Sequence, residues 1–407
     1  MYIYIKMKII ILSILSLLSF FALNVSQADI SGNITYEYTY FPQDALYEDQ
    51  ENDNSSFSGE ITYYKQITAG TSFNIKPFYR FDEVDKNRNH GDLREAYFLT
   101  AFADFELSYG INKVYWGATE FNNVVDIINQ DDFVEGFGTD EKLGQPMVQF
   151  NYLYDIGGIE FFVLPYHRAR EFADIDGGRP QFALPIETDE PYYEDDKKEQ
   201  HIDYAIATTN TFGDFDVRLS GFVGTDRSPV FLPINFHPVL GKPTILQPAY
   251  YQMQQIGLDI TAAIDSWLLK LEMIDKKIDE IDADYNAGTA GFEYTLVGLF
   301  GRSDLGILME RAYDSRKKNI PTTLFQNDVM AGLRLSLNDA SSTTFLLGYV
   351  HDLDDGADIM SLEFERRIAD SFKIKFEAQH FKNAENDINL NQFRRDESYR
   401  LLLGYYF

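Results

Sequence analysis

Seven carboxylates crowd residues 117–145: Glu120, Asp126, Asp131, Asp132, Glu135, Asp140 and Glu141, with Lys142 the one base among them. Acids at this density either ride solvated on a surface loop or, gathered in a cavity, set up a field that draws cations and orients polar solutes. The same stretch holds Val124, Val125, Ile127 and Ile128, which need something to pack against. That favours a loop folded inward, with Glu120, Asp126, Asn129, Asp131 and Asp132 narrowing a passage opposite bases such as Arg334, Arg367 and Lys375.

A passage of this kind needs a wall, and the flanking sequence supplies strands. In "WLLKLEM", Trp267, Leu269, Leu271 and Met273 fall on one face while Lys270 and Glu272 fall on the other. "FEYTLVG", "VMAGLRLSL" and "FKIKFEA" repeat the pattern, each with one apolar face and one that carries ionisable or small polar groups. Eighteen such segments can be laid out: 31–41, 57–67, 71–82, 91–103, 105–116, 146–154, 158–166, 201–212, 215–224, 249–263, 266–277, 285–299, 304–315, 324–337, 342–351, 358–368, 372–382 and 396–407.

The connections alternate in kind. Tight turns such as "TAG", "DIGG" and "GD" follow the even strands, and loops of up to about thirty residues follow the odd ones. The reading is an all-β, transmembrane, antiparallel up-and-down β-barrel of about 18 strands, with 16 as the alternative count, short periplasmic turns and long extracellular loops. Its charged faces must look into a wet lumen, since a barrel of this size encloses an aqueous channel. Glu293, Glu310, Arg334, Glu363, Glu365, Arg367, Lys375 and Arg400 are the expected lumen wall. A slip of one residue would send a whole strand's set to the lipid side.

Composition agrees with a barrel. The 407 residues include 33 Phe and 27 Tyr, and no other stretch is apolar enough for a spanning helix. Lys6 and Lys8, an apolar run from Ile9 to Leu23, and small Ser26 and Ala28 lay out a signal peptide over 1–28, leaving 29–407 as the barrel. Loss of the two lysines takes the formal charge from −29 to −31, which excludes nucleic acid as a partner. Cysteine is absent, so disulfides and thiolate metal sites are excluded.

Other chemistry finds little support. Asp49, Glu51, Asp53 and Glu60 have the spacing of a calcium loop, but Asn54 stands where its turn glycine belongs and no helices flank it. His380 shares the outward face of Phe376 and Ala378 without a serine among its expected neighbours Met360, Leu362, Tyr399 and Leu401. Glu363 and Glu365 share a strand face, which usually means a charged pore wall. No enzyme, cofactor or metal site is expected.

With these features in place, the chain resembles Gram-negative outer-membrane porins over essentially all of 29–407. In that family an alternating terminal strand that ends in Phe is the signal read by the barrel-assembly machinery, and Leu401, Leu403, Tyr405 and Phe407 match it. "LREAYF" followed by "INKVYWGATEFNNVVDIINQDD" also looks like the strand pair and third loop of porin-like proteins that include alginate-export barrels. The matching positions are Arg94, Glu95, Trp116, Gly117, Asn123, Asp126, Asn129 and Asp132. The resemblance implies an outer-membrane location, with lipid and lipopolysaccharide around the barrel and small hydrophilic solutes inside it. It leaves a homotrimer open.

The expected function is a channel for passive or mildly selective diffusion, with a preference for cations from its acidic loops. The alternative is a ligand-specific uptake or export barrel, for an iron chelate or another nutrient. Such a barrel would lack a plug, because the first strand begins close to the expected cleavage site.

Overall fold

Strands that alternate apolar and polar residues and are joined by short turns pair most simply with their neighbours in sequence. The computed structural model, which describes residues 28–407 apart from 48–49, 137–140, 176–177, 180–183, 317–319, 322 and 388, forms such a meander. The leader read over 1–28 lies outside the described residues except for Ala28, which pairs with Lys65. Asp49 and Asp140 also lie outside them.

The barrel has eighteen antiparallel strands. The first six are β1 (Ala28–Tyr40), β2 (Asp53–Thr68), β3 (Thr71–Asp82), β4 (Gly91–Ala101), β5 (Phe105–Asn112) and β6 (Gln145–Tyr154). Next come β7 (Gly157–Leu164), β8 (Asp203–Phe212), β9 (Phe215–Thr225), β10 (Gln252–Ile264), β11 (Trp267–Ile278) and β12 (Ala283–Phe300). The last are β13 (Ser303–Asp314), β14 (Asp328–Ser336), β15 (Thr344–Asp352), β16 (Asp358–Ala369), β17 (Phe372–Lys382) and β18 (Ser398–Tyr406).

Closure comes from β1 and β18, which pair from Asn33–Tyr406 to Tyr40–Tyr399. Phe407 and Gly32 exchange two backbone hydrogen bonds of 3.1 Å, so the last residue finishes the seam. A closed sheet leaves no unpaired edge in hydrocarbon. The turn between β8 and β9 uses Gly213 at φ 64, a left-handed conformation that glycine adopts without strain.

Register puts Tyr399, Leu401, Leu403 and Tyr405 outward and leaves Arg400 and Leu402 to line the lumen. At the short-turn end, outward rings pair across strands: Phe105 with Tyr152 at 5.0 Å, Trp267 with Tyr294 at 4.6 Å, and Phe372 with Tyr405 at 5.1 Å. Rings at that level form the interfacial girdle typical of membrane barrels.

Three strands fall short of their sequence reading by three residues or more at the outer end. The segment 105–116 leaves the wall after Asn112, because the Asn129 side chain takes the carbonyl of Asn112 and the amide of Val114. The segment 249–263 reaches the barrel only at Gln252, since Pro243–Tyr250 pairs instead with Val230–Phe236 in a small sheet over the mouth. The segment 324–337 begins at Asp328, because Leu324 and Phe325 turn into an apolar cluster.

Candidate functional site: the lumen and its inward-folded loop

The loop 113–144 leaves β5, crosses the lumen and returns to β6. Its tip is fixed by two carboxylates on the far wall. Glu272 on β11 is fully buried and accepts from the amides of Ala118 and Thr119 at 2.7 and 2.8 Å and from the Thr119 hydroxyl at 2.7 Å. Its other oxygen takes the amides of Val124 and Val125 at 2.9 and 3.4 Å. Glu310 on β13 accepts from the amides of Glu120 and Phe121 at 2.8 and 3.0 Å. Charge-assisted bonds of this kind each contribute about 1.5–3 kcal/mol.

Apolar packing completes the docking. Val125, Ile127 and Ile128 are buried against Phe162, Leu164, Ala205, Phe222, Met253 and Ile274, lumen-side residues of β7 to β11. Trp116 lies edge-on to Phe162 at 5.8 Å. Each such aliphatic side chain, fully buried, stabilises by about 1.5–3 kcal/mol. One half of the lumen is thereby filled.

Most of the loop's charges are neutralised within this packing. Asp132 is held by Arg94 at 2.7 Å and by His90 at 3.1 Å, and the Asp132 and Arg94 side chains are each 1% exposed. Lys142 lies 3.3 Å from Asp126 and 2.7 Å from Asp131, which also meets Arg170 at 2.8 Å. Burial raises the Asp126 pKa, Lys142 opposes it, and the result is about 6. Burial would raise Asp132 as well, but His90 and Arg94 hold it below the usual carboxylate range. Burial would lower His90, yet the bond to Asp132 and the charges beside it raise its pKa.

Ligand atoms of His90, Asp132 and Glu135 lie within 4.8 Å of one another, close enough to hold an ion. Both carboxylates, however, already serve guanidinium groups. Glu135 receives Arg80 through Nε at 2.9 Å and Nη2 at 2.5 Å. Arg80 and Arg88 then share Glu37 of β1 at 3.2 and 2.7 Å. The arrangement is an ion-pair network that ties the loop's return arm to β1, β3 and β4.

The other half of the lumen stays open. A cavity of about 1070 Å³ reaches from Glu51 and Asp396 in the outer loops and Asp53 at the start of β2 down to Glu363 and Lys375 on the wall. Eleven carboxylates and five bases line it. Along its strand wall, Lys375 meets Glu363 at 3.1 Å and Glu377 at 2.5 Å, and Glu377 also pairs with Arg400. Arg400 extends to the Glu135 carbonyl at 3.3 Å, linking wall to loop.

The residues expected in the constriction therefore separate. Glu120 lines the cavity and pairs with Arg334 at 2.7 Å, and Arg334 lies 3.5 Å from Glu293. Asp126, Asp131 and Asp132 are engaged inside the loop packing and do not line the cavity. Asn129 is 1% exposed and bonds only backbone, at Asn112, Val114 and Leu143.

The expected wall residues also separate. Glu363, Lys375 and Arg400 line the cavity, while Glu310 is spent on the loop. Glu365 pairs with Lys373 at 2.7 Å, and Arg367 is exposed close to the short turn after β16. His380 meets Glu397 at 3.2 Å, and Glu60 lies on β2 facing Lys76 at 3.7 Å.

Glu37, Arg80, Arg88, Glu272 and Glu377 escaped selection as site residues. Alternation alone would have placed Glu37 and Arg80 inside, since each stands between outward rings, Tyr36 and Tyr38 or Tyr79 and Phe81. No local signal marks Glu272 as the anchor of a loop that arrives from across the barrel.

A sheet closed edge to edge over eighteen strands, with a long loop folded inside, has the architecture of a porin-type β-barrel. Among solved structures the chain is similar to OccD3 (OpdP) of Pseudomonas aeruginosa at 11% identity and a TM-score of 0.52, covering 94% of this chain and 91% of that one. It is also similar to a BenF-like porin from Pseudomonas fluorescens Pf-5, at 10% identity and a TM-score of 0.54, covering 94% and 98%. At these identities the likeness is one of fold. No protein-family profile matches the sequence, and no curated relative does.

Proposed function

We propose that the chain is an outer-membrane channel through which small hydrophilic solutes diffuse, with a preference for cations. The observation that carries this reading is the lining of the open half of the lumen, where eleven carboxylates face five bases. A cavity with a surplus of one sign raises the local concentration of the opposite ion. The surplus is greatest at the mouth, where Glu51, Asp53, Asp85, Asp174 and Asp396 face Arg179. Leu401, Leu403, Tyr405 and Phe407 are assigned as the insertion signal, a reading supported by their place on the closing strand.

The test is the reversal potential of the refolded barrel in a planar bilayer under a potassium chloride gradient. A potential on the potassium side that falls in the variant Glu51→Gln/Asp53→Asn is the expected result. A chloride-selective or silent barrel overturns the reading.

A further inference from the structure

The open cavity has two chemically different walls. One is the charged strip of Glu37, Arg80, Glu363, Lys375, Glu377 and Arg400 already described. The other is built from Phe121, Phe325, Val350, Ile359, Phe381 and Phe393, each of which lines the cavity while packing into an apolar cluster behind it. Phe381 and Phe393, 6% and 3% exposed, stack at 5.7 Å with planes 17° apart and back this wall, while the half-buried Phe121 and Phe325 present its accessible rings. Hydrated inorganic ions are recognised by charged and hydrogen-bonding groups, and these six side chains have none to offer. A wall of rings in a wet passage is matched instead by a solute with an apolar face.

The charge at the mouth fixes the sign of the solute. Glu51, Asp53 and Asp85 line the cavity mouth, and among the described residues none of the three is in an ion pair. Glu51 and Asp53 are exposed and available to a passing cation, whereas Asp85 is buried and accepts the amides of Asn87, Arg88 and Asp174, and Arg80, Arg88 and Arg400 deeper in are already engaged by Glu37, Glu135 and Glu377. Ring faces attract cations as well as apolar groups.

We infer that the channel selects organic cations carrying an apolar or aromatic face, the ammonium group running along the carboxylates while the apolar face slides past the half-buried rings of Phe121 and Phe325. This rests on the cation-preferring channel proposed above and names its solute class. Such solutes pass more readily than hydrophilic cations of equal size.

Benzylammonium and protonated tris(hydroxymethyl)aminomethane are similar in size and equal in charge, and phenylacetate supplies the aromatic anion. Bi-ionic reversal potentials of the wild-type barrel give their relative permeabilities. The expected result is benzylammonium at least fivefold above the hydroxylated cation and above phenylacetate. The substitution Phe325→Ser, on a half-buried ring, should reduce that ratio at least twofold while leaving potassium-over-chloride selectivity unchanged. Equal permeability of the two cations, or phenylacetate ahead of benzylammonium, in a barrel that still prefers potassium to chloride overturns the solute class and leaves the channel intact. A chloride-selective or silent barrel removes both.

Discussion

The two halves of the lumen hold the same kinds of residue and use them in opposite ways. Towards β7–β13 the inward loop packs Val125, Ile127 and Ile128 against the wall, and Glu272 and Glu310 are consumed in binding its backbone. Towards β1 and β15–β18 the wall is wet, and Glu363, Glu377, Lys375 and Arg400 pair side by side along a cavity. A lumenal carboxylate is thus either a structural acceptor or part of the solute's electrostatic environment. Burial and partner decide which, and position in the sequence does not.

Removing the anchor breaks this division most severely. Glu272→Ala leaves four backbone amides and the Thr119 hydroxyl without their acceptor, and hydrogen bonds to a charged group contribute about 1.5–3 kcal/mol each. The tip should undock, raising single-channel conductance at least twofold and adding fast current noise. Heat-modified electrophoretic mobility reports whether the barrel itself still folds. Unchanged conductance in a folded barrel would show that the loop does not depend on Glu272.

Neutralising an acid inside the loop packing should act on stability and leave selectivity alone. Asp132→Asn removes one partner of a buried pair with Arg94, a change that typically costs about 3–5 kcal/mol. The expected outcome is a lower urea midpoint with the reversal potential unchanged. A shift in potassium-over-chloride selectivity of the kind expected for Glu51→Gln/Asp53→Asn would place Asp132 in the conduction path and erase the contrast between the halves.

Proton binding offers a milder probe of the same docking. The pKa of His90 is raised above its ordinary 6.5, so its contribution is fully present below 6.5 and is lost as pH climbs through the raised value. Asp126 sits at about 6 against an ordinary 3.8, so the docked loop binds its proton more tightly than a free loop. That contribution also fades as pH rises, from about 4 through 6. Asp126 therefore loosens the loop between about pH 4 and 6 and His90 above pH 6.5, by about 1.4 kcal/mol for each unit of pKa shift. Current noise should increase from pH 5.5 to 8, and less so in His90→Gln. Noise that falls with rising pH would contradict the sign.

The architecture was legible because each strand carries its own test: Trp267, Leu269 and Leu271 against Lys270 and Glu272 identify a membrane-facing side without reference to any other strand. The hydrophobic run at 124–128 likewise announced a loop that needed a surface. What it could not announce is the surface itself. Asp126, Asn129 and Asp132 look like Glu120 in sequence, yet the first three meet Lys142, backbone and Arg94, while Glu120 lines the cavity beside Arg334. These partners lie on other strands and loops, so local pattern has no means of sorting them. Period-two reading also stops at strand ends, which is why Asn112, with its carbonyl bonded to Asn129, marks an exit that alternation ran past.

The smallest expected effect lies at the short-turn end of the wet wall. Glu365 meets Lys373 at 2.7 Å, but both side chains are about a third exposed, at 32% and 37%. Exposed pairs typically contribute under about 1 kcal/mol because water screens the charge and ordering two long side chains offsets the attraction. Glu365→Gln should shift the urea midpoint by less than the resolution of the titration and move the reversal potential only slightly, well below the change at Glu51 and Asp53. If it instead abolishes cation preference, the selectivity filter sits at the inner exit, and the excess of carboxylates at the mouth is a vestibule through which ions pass without being sorted.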